Sequence, residues 1–598
     1  EIEFFVQTFQ LLYGGVNQQL QVTGTLHVLQ ELKKSGLIPG RDAAFLQESY
    51  LFLRRVEHHL QLLDEQQTHT LPSSIAQQQA LARSLGYKNL DAEKARQQLL
   101  SELKDVMGRV SAIFKGLFSR KHLEIEASIR KCARIKHFTN DEKHFIESFS
   151  QQLVPLISQN TKNHFQRLFE SINVQIDFYR KLSQYPSALS RLTRIAETSE
   201  MLWNYLLNNL ELLEQLDKPV PDISVENLTK LLEDQLSTCK GNEEEEIDML
   251  RQFKHTITFL LGSAEMEGLV SYEHARIGMT VMAEIIVRAA FELSQKSLTS
   301  RYGEVKDADG GPCNFAIVGL GKLGGEEMTY HSDLDLIFFH SGEGATTGPS
   351  VAGAQEYWIK IIQRLISCLS TITRTGFAYK LDTRLRPSGN AGVLVSSLDT
   401  YLNYHDNSEP WEHQALIKAR VIGGSGSSEW FQEIKDVLHR AVYKWHPPSD
   451  LNARINHLRQ RKEKELSRET KHQRNIKEGH GGLLDVEYLT QSLQLQHGRL
   501  SSQLQNPKTM EVLRELGRNS IIKKQESKVL QKNYIFLRLI ENGLRLIYDD
   551  STNLLDFKRV QQTTILQLLK HQGYSVNNLR DAVDSAKKEI RDIYLNYF

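Results

Sequence analysis

Two aspartates separated by one leucine, Asp333 and Asp335 in Ser332-Asp-Leu-Asp-Leu336, follow closely on a glycine-rich turn, Gly319-Leu-Gly-Lys-Leu-Gly-Gly325. Glycines let a backbone approach a triphosphate with its N–H groups facing the phosphates, and paired carboxylates supply the hard oxygen ligands that Mg²⁺ requires. A third acid, Asp382, stands in Tyr379-Lys-Leu-Asp-Thr-Arg-Leu-Arg-Pro387 with Arg384 and Arg386. Three aspartates can hold two Mg²⁺ ions about 3.5–4 Å apart, one activating an attacking oxygen and one gripping the phosphates. The arginines would neutralise charge developing on those phosphates. The chemistry implied is nucleotidyl transfer. A glycine turn alone also serves tight packing, and a lone Ser-Asp-x-Asp can be a solvated strand end; turn, acid pair and third acid in this order are harder to obtain by accident.

These residues need strands to position them. Phe315-Ala-Ile-Val318 reads as a short buried strand entering the turn, and Leu334 to Phe339 as a second strand rich in β-branched and aromatic residues. Alternation along a strand puts Asp333 and Asp335 on one face, and places Asp382, Arg384 and Arg386 together on a strand-like run. Between the acids, residues 352–371 read as a helix whose Trp358, Ile361, Ile362, Leu365, Ile366 and Leu369 form a core stripe. His331 is a solvated neighbour of the acid pair, since Mg²⁺ prefers oxygen, and His405 and His413 lack metal spacing.

The motifs "GLGKLGGEEMTYHSDLDLIF", "LDTRLRPSGNAGVLV", "WEHQALIKARVIGG" and "IKEGHGGLLDVEY" carry a resemblance. The order of glycine turn, Asp-x-Asp and later strand Asp resembles the DNA polymerase β-like nucleotidyltransferase superfamily. More specifically, the four motifs are similar to those of the bifunctional glutamine synthetase adenylyltransferases/adenylyl-removing enzymes. Lys322 stands where the wider superfamily usually has Gly or Ser, and His480 where the closer family commonly has Pro. The resemblance implies ATP as substrate, Asp333, Asp335 and Asp382 as catalytic metal ligands, and a nucleotide held by Gly319, Gly321, Lys322, Gly324, Gly325, Ser332, Arg384 and Arg386. In "WEHQALIKAR", Glu412, Lys418 and Arg420 either line the nucleotide site or are structural; Asp485 and Glu487 either edge the cleft or form buried hydrogen bonds.

An internal repeat defines the surroundings. Residues 1–15, "EIEFFVQTFQLLYGG", pair with residues 485–499, "DVEYLTQSLQLQHGR", at a constant offset of 484. At that offset Leu20-Gln21 meets Leu504-Gln505, Tyr50-Leu-Phe-Leu-Arg54 meets Tyr534-Ile-Phe-Leu-Arg538, and Glu57 meets Glu541. One helical module therefore occurs twice, and the second copy follows the nucleotidyltransferase motifs. With no Met at position 1, the expectation is the latter part of a longer, duplicated protein. In the family the N-terminal half removes AMP from glutamine synthetase by phosphorolysis and the C-terminal half adds it from ATP; this chain would keep the adding site and the helical tail of the removing half.

The expected fold is mainly α with an α/β core. A helical module at 1–115 is followed by helices at 116–298, a nucleotidyltransferase core at 299–440 and a helical bundle at 441–598 that repeats 1–115. Asp217 to Pro221 and Gly241 to Glu246 read as loops, the four consecutive glutamates as a solvated surface, and "ARINHLRQRKEKELSRETKHQR" as an exposed mixed-charge helix. The 598 residues exceed what one core supports. The 73 basic residues balance 73 acidic ones, which disfavours a nucleic-acid surface. Four cysteines without metal spacing, Cys132, Cys239, Cys313 and Cys368, favour a reducing cytoplasm, and no apolar run suggests a membrane span.

The expected reaction is in-line attack by a protein tyrosine hydroxyl on the α-phosphorus of ATP. Tyrosine has a pKa of about 10 and needs activation at neutral pH, which the metal ions and Asp382 as proton acceptor could give. The resemblance further implies a tyrosine of glutamine synthetase as acceptor, and PII signalling protein and glutamine as regulators. The rival readings are another protein nucleotidyltransferase, such as a PII uridylyltransferase-like enzyme, and a non-catalytic regulatory scaffold.

Overall fold

Apolar residues spaced three and four apart make helices of most of the described chain, which divides into two units, Glu1–Val154 and Pro155–Phe598. The structure, a computed structural model, describes all residues except 14–17, 36–37, 39, 65–70, 73, 88–90, 120–138, 140, 142–160, 173–185, 217, 308–309, 374–375, 406–407 and 559–561. Cys132, Asp217 and, of the helical stretch expected at 116–298, residues 120–138, 140, 142–160 and 173–185 lie outside the described residues. Cys239, Cys313 and Cys368 are buried free thiols.

The first unit contains helices Ile2–Tyr13, Thr25–Lys34, Gly40–Asp64, Ile75–Ser84 and Ala92–Ser119. Phe5, Val6 and Phe9 pack with Val28, Leu29, Leu32, Leu46 and Val110. Val56 and Leu60, further along the long helix Gly40–Asp64, join Leu81, Leu99 and Leu103 in a second cluster. Leu51 on the same helix is exposed, because two residues turn a helix by roughly 200° and carry it away from Leu53, which packs inward.

The second unit opens with helices and holds one mixed sheet. The glutamate run is helical, against expectation: Asn242 caps helix Glu243–Met266, its side chain accepting from Glu244 N, and four carboxylates in the first turn complement the helix dipole. Nor is the run simply solvated, since Glu243 pairs with Arg364, and Glu246 is buried and paired with Lys296 at 3.0 Å. Helix Tyr272–Tyr302 follows and leads into β1, Val305–Asp307.

The strands β2 (Phe315–Gly319), β3 (Leu334–His340), β4 (Gly344–Thr346), β5 (Leu381–Asp382), β6 (Ser396–Ser397) and β7 (Arg420–Ser425) come next. β1 pairs with β4; the main sheet runs β5-β3-β2-β7, with β6 also on β3. β2 is antiparallel to β3 and β7, whereas β5 and β6 run parallel to β3. Helix Ala354–Ser370 packs its stripe against this sheet, with Trp358 stacked on Phe315 at 4.4 Å between ring centroids. The expected strand-like run through Arg386 is corrected. β5 ends at Asp382, whose Oδ1 accepts from Arg384 N at 2.9 Å, so an Asx turn competes with the sheet and carries both arginines out of the strand.

Helices Leu451–Leu466, Leu483–His497, Thr509–Arg518, Lys524–Ile547, Gln562–His571 and Leu579–Tyr594 complete the unit, with β8 (Gln473–Asn475) antiparallel to β9 (Leu554–Asp556). The mixed-charge helix Leu451–Leu466 is exposed along one side only, since Arg459 is fully buried. No helix among the described residues is long and apolar enough to cross a membrane.

Candidate active site

The parallel pairing of β3 with β5 sets Asp335 opposite Asp382 and Leu334 opposite Leu381. Directly paired residues point the same way, so the two carboxylates stand side by side. Asp333 lies just before β3 and is exposed. Burial, then the nearby Asp382 and Asp333 charges, push Asp335 up to about 6, against the opposing influence of Lys477 and Arg384. Asp382 is held below its ordinary value, first by its hydrogen bonds from Arg384, whose Nε donates at 3.0 Å to both carboxylate oxygens. Arg384 is otherwise 72% exposed, so it can turn away.

Among the described residues, no three His, Cys, Asp or Glu side chains converge closely enough to hold an ion. What the sheet brings together is the Asp335–Asp382 pair. Hard carboxylate oxygens forced into proximity, one of them driven toward protonation, are a donor set whose repulsion a divalent cation relieves, so the residues present fit Mg²⁺.

The glycine turn is fitted to that pair. Gly321, at φ +52°, has its α-carbon against Asp335: an added Cβ would lie 2.1 Å from Asp335 Oδ2. Gly324 has no room either, with the Lys418 carbonyl oxygen 1.8 Å from where a Cβ would sit. Residues 321–324 form one helical turn, whose first N–H groups have no intrahelical acceptor. Those of Gly324 and Gly325 bond the carbonyls of Leu320 and Gly321, and Gly319 ends β2.

Of the other expected nucleotide contacts, Lys322 and Arg386 face elsewhere. Arg386 donates to the Thr383 carbonyl and hydroxyl at 2.8 Å and braces its own loop. Lys322 Nζ donates to Glu541 at 2.8 Å and to Thr329 Oγ1 at 3.1 Å. Ser332 Oγ bonds Thr329 N at 3.1 Å and Thr329 Oγ1 at 2.9 Å.

The Glu541 contact belongs to a buried charge network that the sequence reading missed. Glu327 Oε2 accepts from Lys418 at 2.7 Å and from Arg538 at 3.2 Å; Arg538 also donates to Glu487 at 2.6 Å and Glu541 at 2.7 Å. Burial works against the charges of Glu327 and Glu541, and the surrounding cations, Lys418 and Arg538 for the first and Lys322, Arg538 and Arg545 for the second, more than offset it. The signal that could have found the network is the repeat. In the first unit Glu3 accepts from Tyr50 at 3.0 Å and Arg54 at 2.6 Å, and Arg54 donates to Glu57 at 2.7 Å, the same bonds as among Glu487, Tyr534, Arg538 and Glu541. Gln10 likewise donates to the Leu20 and Val22 carbonyls as Gln494 does to those of Leu504 and Asn506.

The residues left open between nucleotide contact and structural role make structural bonds. Glu412 completes a capping box with Glu409. Lys418 is spent on Glu327, and Arg420 donates to the Leu323 and Gly324 carbonyls at 2.9 and 3.2 Å, securing the end of the glycine turn. Asp485 is fully buried, accepting from Gly481 N and Arg591 at 3.0 Å, with Arg459 Nη2 in charge contact at 2.5 Å while its N–H points to the Gly479 carbonyl. His331, 3.4 Å from Asp549, is pushed down to about 4 by burial and is neutral at pH 7. Lys477, which the motif "IKEGHGG" contains and the sequence reading passed over, is the bundle's cation acting on Asp335.

Residues 189–434 match the family model described as Glutamate-ammonia ligase adenylyltransferase. Residues 1–118 and 449–598, the two copies of the repeated module, match the model described as GlnD PII-uridylyltransferase. A protein of Nitrosococcus oceani named "Bifunctional glutamine synthetase adenylyltransferase/adenylyl-removing enzyme" is 30% identical over 91% of this chain and 62% of its own length. Proteins of the same name from Chromobacterium violaceum and Hahella chejuensis are each 28% identical, over 91% and 82% of this chain and 63% and 56% of their own. The chain thus spans about three fifths of the length of the curated relatives it matches. The glycine turn, all three aspartates and the strands around them lie inside the stretch, residues 189–434, over which the chain is similar to the glutamate-ammonia ligase adenylyltransferase family.

Proposed function

We propose that this chain transfers AMP from ATP to a tyrosine of glutamine synthetase, lowering that enzyme's activity, at a site built from Asp333, Asp335 and Asp382. The observation that carries the reading is the register of Asp335 with Asp382 beneath Gly321, within the stretch that matches the family. The same arrangement, a glycine turn joining two antiparallel strands with the third acid on a neighbouring parallel strand, supports a DNA polymerase β-like core at 299–440 between helical regions at 1–115, 116–298 and 441–598. Mg²⁺ held at the Asp335–Asp382 pair, with Asp333 drawn in to complete the site for two ions, would supply charge neutralisation and a more acidic acceptor hydroxyl.

The chain's own residues do the rest. Gly319, Gly321 and the opening N–H groups of the turn, with Ser332, face the phosphates, while Gly324 and Gly325 shape the turn and Lys322 anchors it. Arg384 leaves Asp382 for the triphosphate; freed of that cation, Asp382 regains basicity and takes the tyrosine proton. The tyrosine oxygen bonds the α-phosphorus as the α–β bridge breaks, and pyrophosphate departs. The longer protein would also remove AMP by phosphorolysis, act in the cytoplasm and respond to PII signalling protein and glutamine. These assignments rest on the name the relatives carry and on the family resemblance.

The test is transfer of label from α-³²P-ATP to purified glutamine synthetase with Mg²⁺. Tyrosine-linked label should fall by about a thousandfold or more in Asp333→Ala/Asp335→Ala, the scale seen when transition-state charge stabilisation is removed. Label undiminished in that variant would sink the assignment of the site. The match of both helical modules to a PII-uridylyltransferase model favours a second reading, uridylyl transfer to PII. A preference for UTP over ATP in the same assay would select it.

A further inference from the structure

The donors and acceptors around Thr329 fix where its hydroxyl proton points. A threonine hydroxyl has one hydrogen and accepts two. Thr329 Oγ1 receives Lys322 Nζ at 3.1 Å and Arg545 Nη1 at 3.0 Å. A guanidinium can only donate, and Lys322 Nζ, whose charge burial and then the neighbouring Arg545 disfavour, donates to the Glu541 carboxylate at 2.8 Å as well. Both acceptor positions of Thr329 are therefore filled, and its own hydrogen must go to the remaining neighbour, Ser332 Oγ, at 2.9 Å. Ser332 Oγ also accepts from Thr329 N at 3.1 Å, which fills its acceptor positions in turn. The one bonding capacity left to Ser332 is its own O–H, adjoining Asp333.

We propose that Thr329 is a positioning residue: charged groups of helix Lys524–Ile547, acting through Lys322 and Arg545, orient its hydroxyl so that Ser332 is held as a hydrogen-bond donor to the phosphate chain of a nucleoside triphosphate. This rests on the nucleotidyl-transfer reading above and names a residue outside the expected site. The relay joins the bundle to the acid pair by bonds alone: Glu541 to Lys322 to Thr329 to Ser332. Without these two donors Thr329 could accept from Ser332 instead, and Ser332 would present lone pairs to the phosphates.

The test is calorimetric titration of Mg-ATP and of adenosine into the full chain, as wild type, Thr329→Val, Thr329→Ser, Ser332→Ala and the Thr329→Val/Ser332→Ala pair. Valine matches threonine in shape and neither donates nor accepts, whereas serine retains the hydroxyl. Each of Thr329→Val and Ser332→Ala should weaken Mg-ATP about tenfold, the loss of one hydrogen bond to a charged group. Adenosine binding should be unchanged, Thr329→Ser should restore affinity, and the pair should bind no more weakly than Ser332→Ala. Wild-type affinity in Thr329→Val, additive losses in the pair, or equal weakening of adenosine would each overturn the relay. A wild-type chain that behaves as described here yet transfers no label to glutamine synthetase overturns the adenylylation reading alone; one that does not bind Mg-ATP overturns both.

Discussion

Arg538→Ala is expected to destabilise the second unit by about 3–5 kcal/mol, because it strips the shared cation from Glu327, Glu487 and Glu541 and leaves buried carboxylates under-compensated. Only 4% of the Arg538 side chain is exposed, so water cannot substitute. The repeat supplies an internal control. Arg54, its counterpart, makes the same bonds with Glu3 and Glu57 but is 45% exposed. Solvent screens such pairs, and Arg54→Ala should cost about 0–1 kcal/mol. Urea denaturation of the two variants, followed by probes in each unit because a two-unit chain need not unfold in one step, measures both. Equal costs would mean that burial does not give the second copy its weight, and the account of the network would fail.

The contrast explains what could be read from the sequence. Local patterns carried the elements: Phe315–Gly319 and Leu334–His340 form where β-branched and aromatic residues cluster, and helix Ala354–Ser370 forms where the apolar stripe was visible. Short-range competition was harder. Nothing in the alternation of Asp382, Arg384 and Arg386 shows that the Asp382 carboxylate would accept its own downstream N–H and end the strand. The glutamate run looked like a loop because mutual repulsion was weighed without the helix dipole that Asn242 opens.

Long-range charge pairing was least legible. Lys322 sits in a motif that suggests phosphate, yet a glutamate 219 residues away takes its ammonium. Glu327 and Thr329 are unremarkable letters until Lys418, Arg538 and Arg545 arrive around them. The repeat marked the positions of Tyr534, Arg538 and Glu541, but only packing decides that these bonds are exposed in one copy and buried against the glycine turn in the other.

The largest effect on the proposed activity from a single methyl group is expected at Gly321. Alanine there meets two penalties: a positive φ, which costs an L-residue roughly 1–2 kcal/mol, and a Cβ placed 2.1 Å from Asp335 Oδ2. The second must move either the turn or the carboxylate, and a displacement on the order of 1 Å can cost about a hundredfold in rate. Gly86→Ala separates the two, since Gly86 has φ +104° with nothing within 4 Å of an added Cβ. Gly86→Ala should lower stability by a comparable strain and leave AMP transfer intact, while Gly321→Ala should lose about a hundredfold or more in transfer for a similar loss of stability. Transfer by Gly321→Ala within about twofold of Gly86→Ala would show that the turn and Asp335 need not touch for the reaction, which is the contact on which the geometry of the site depends.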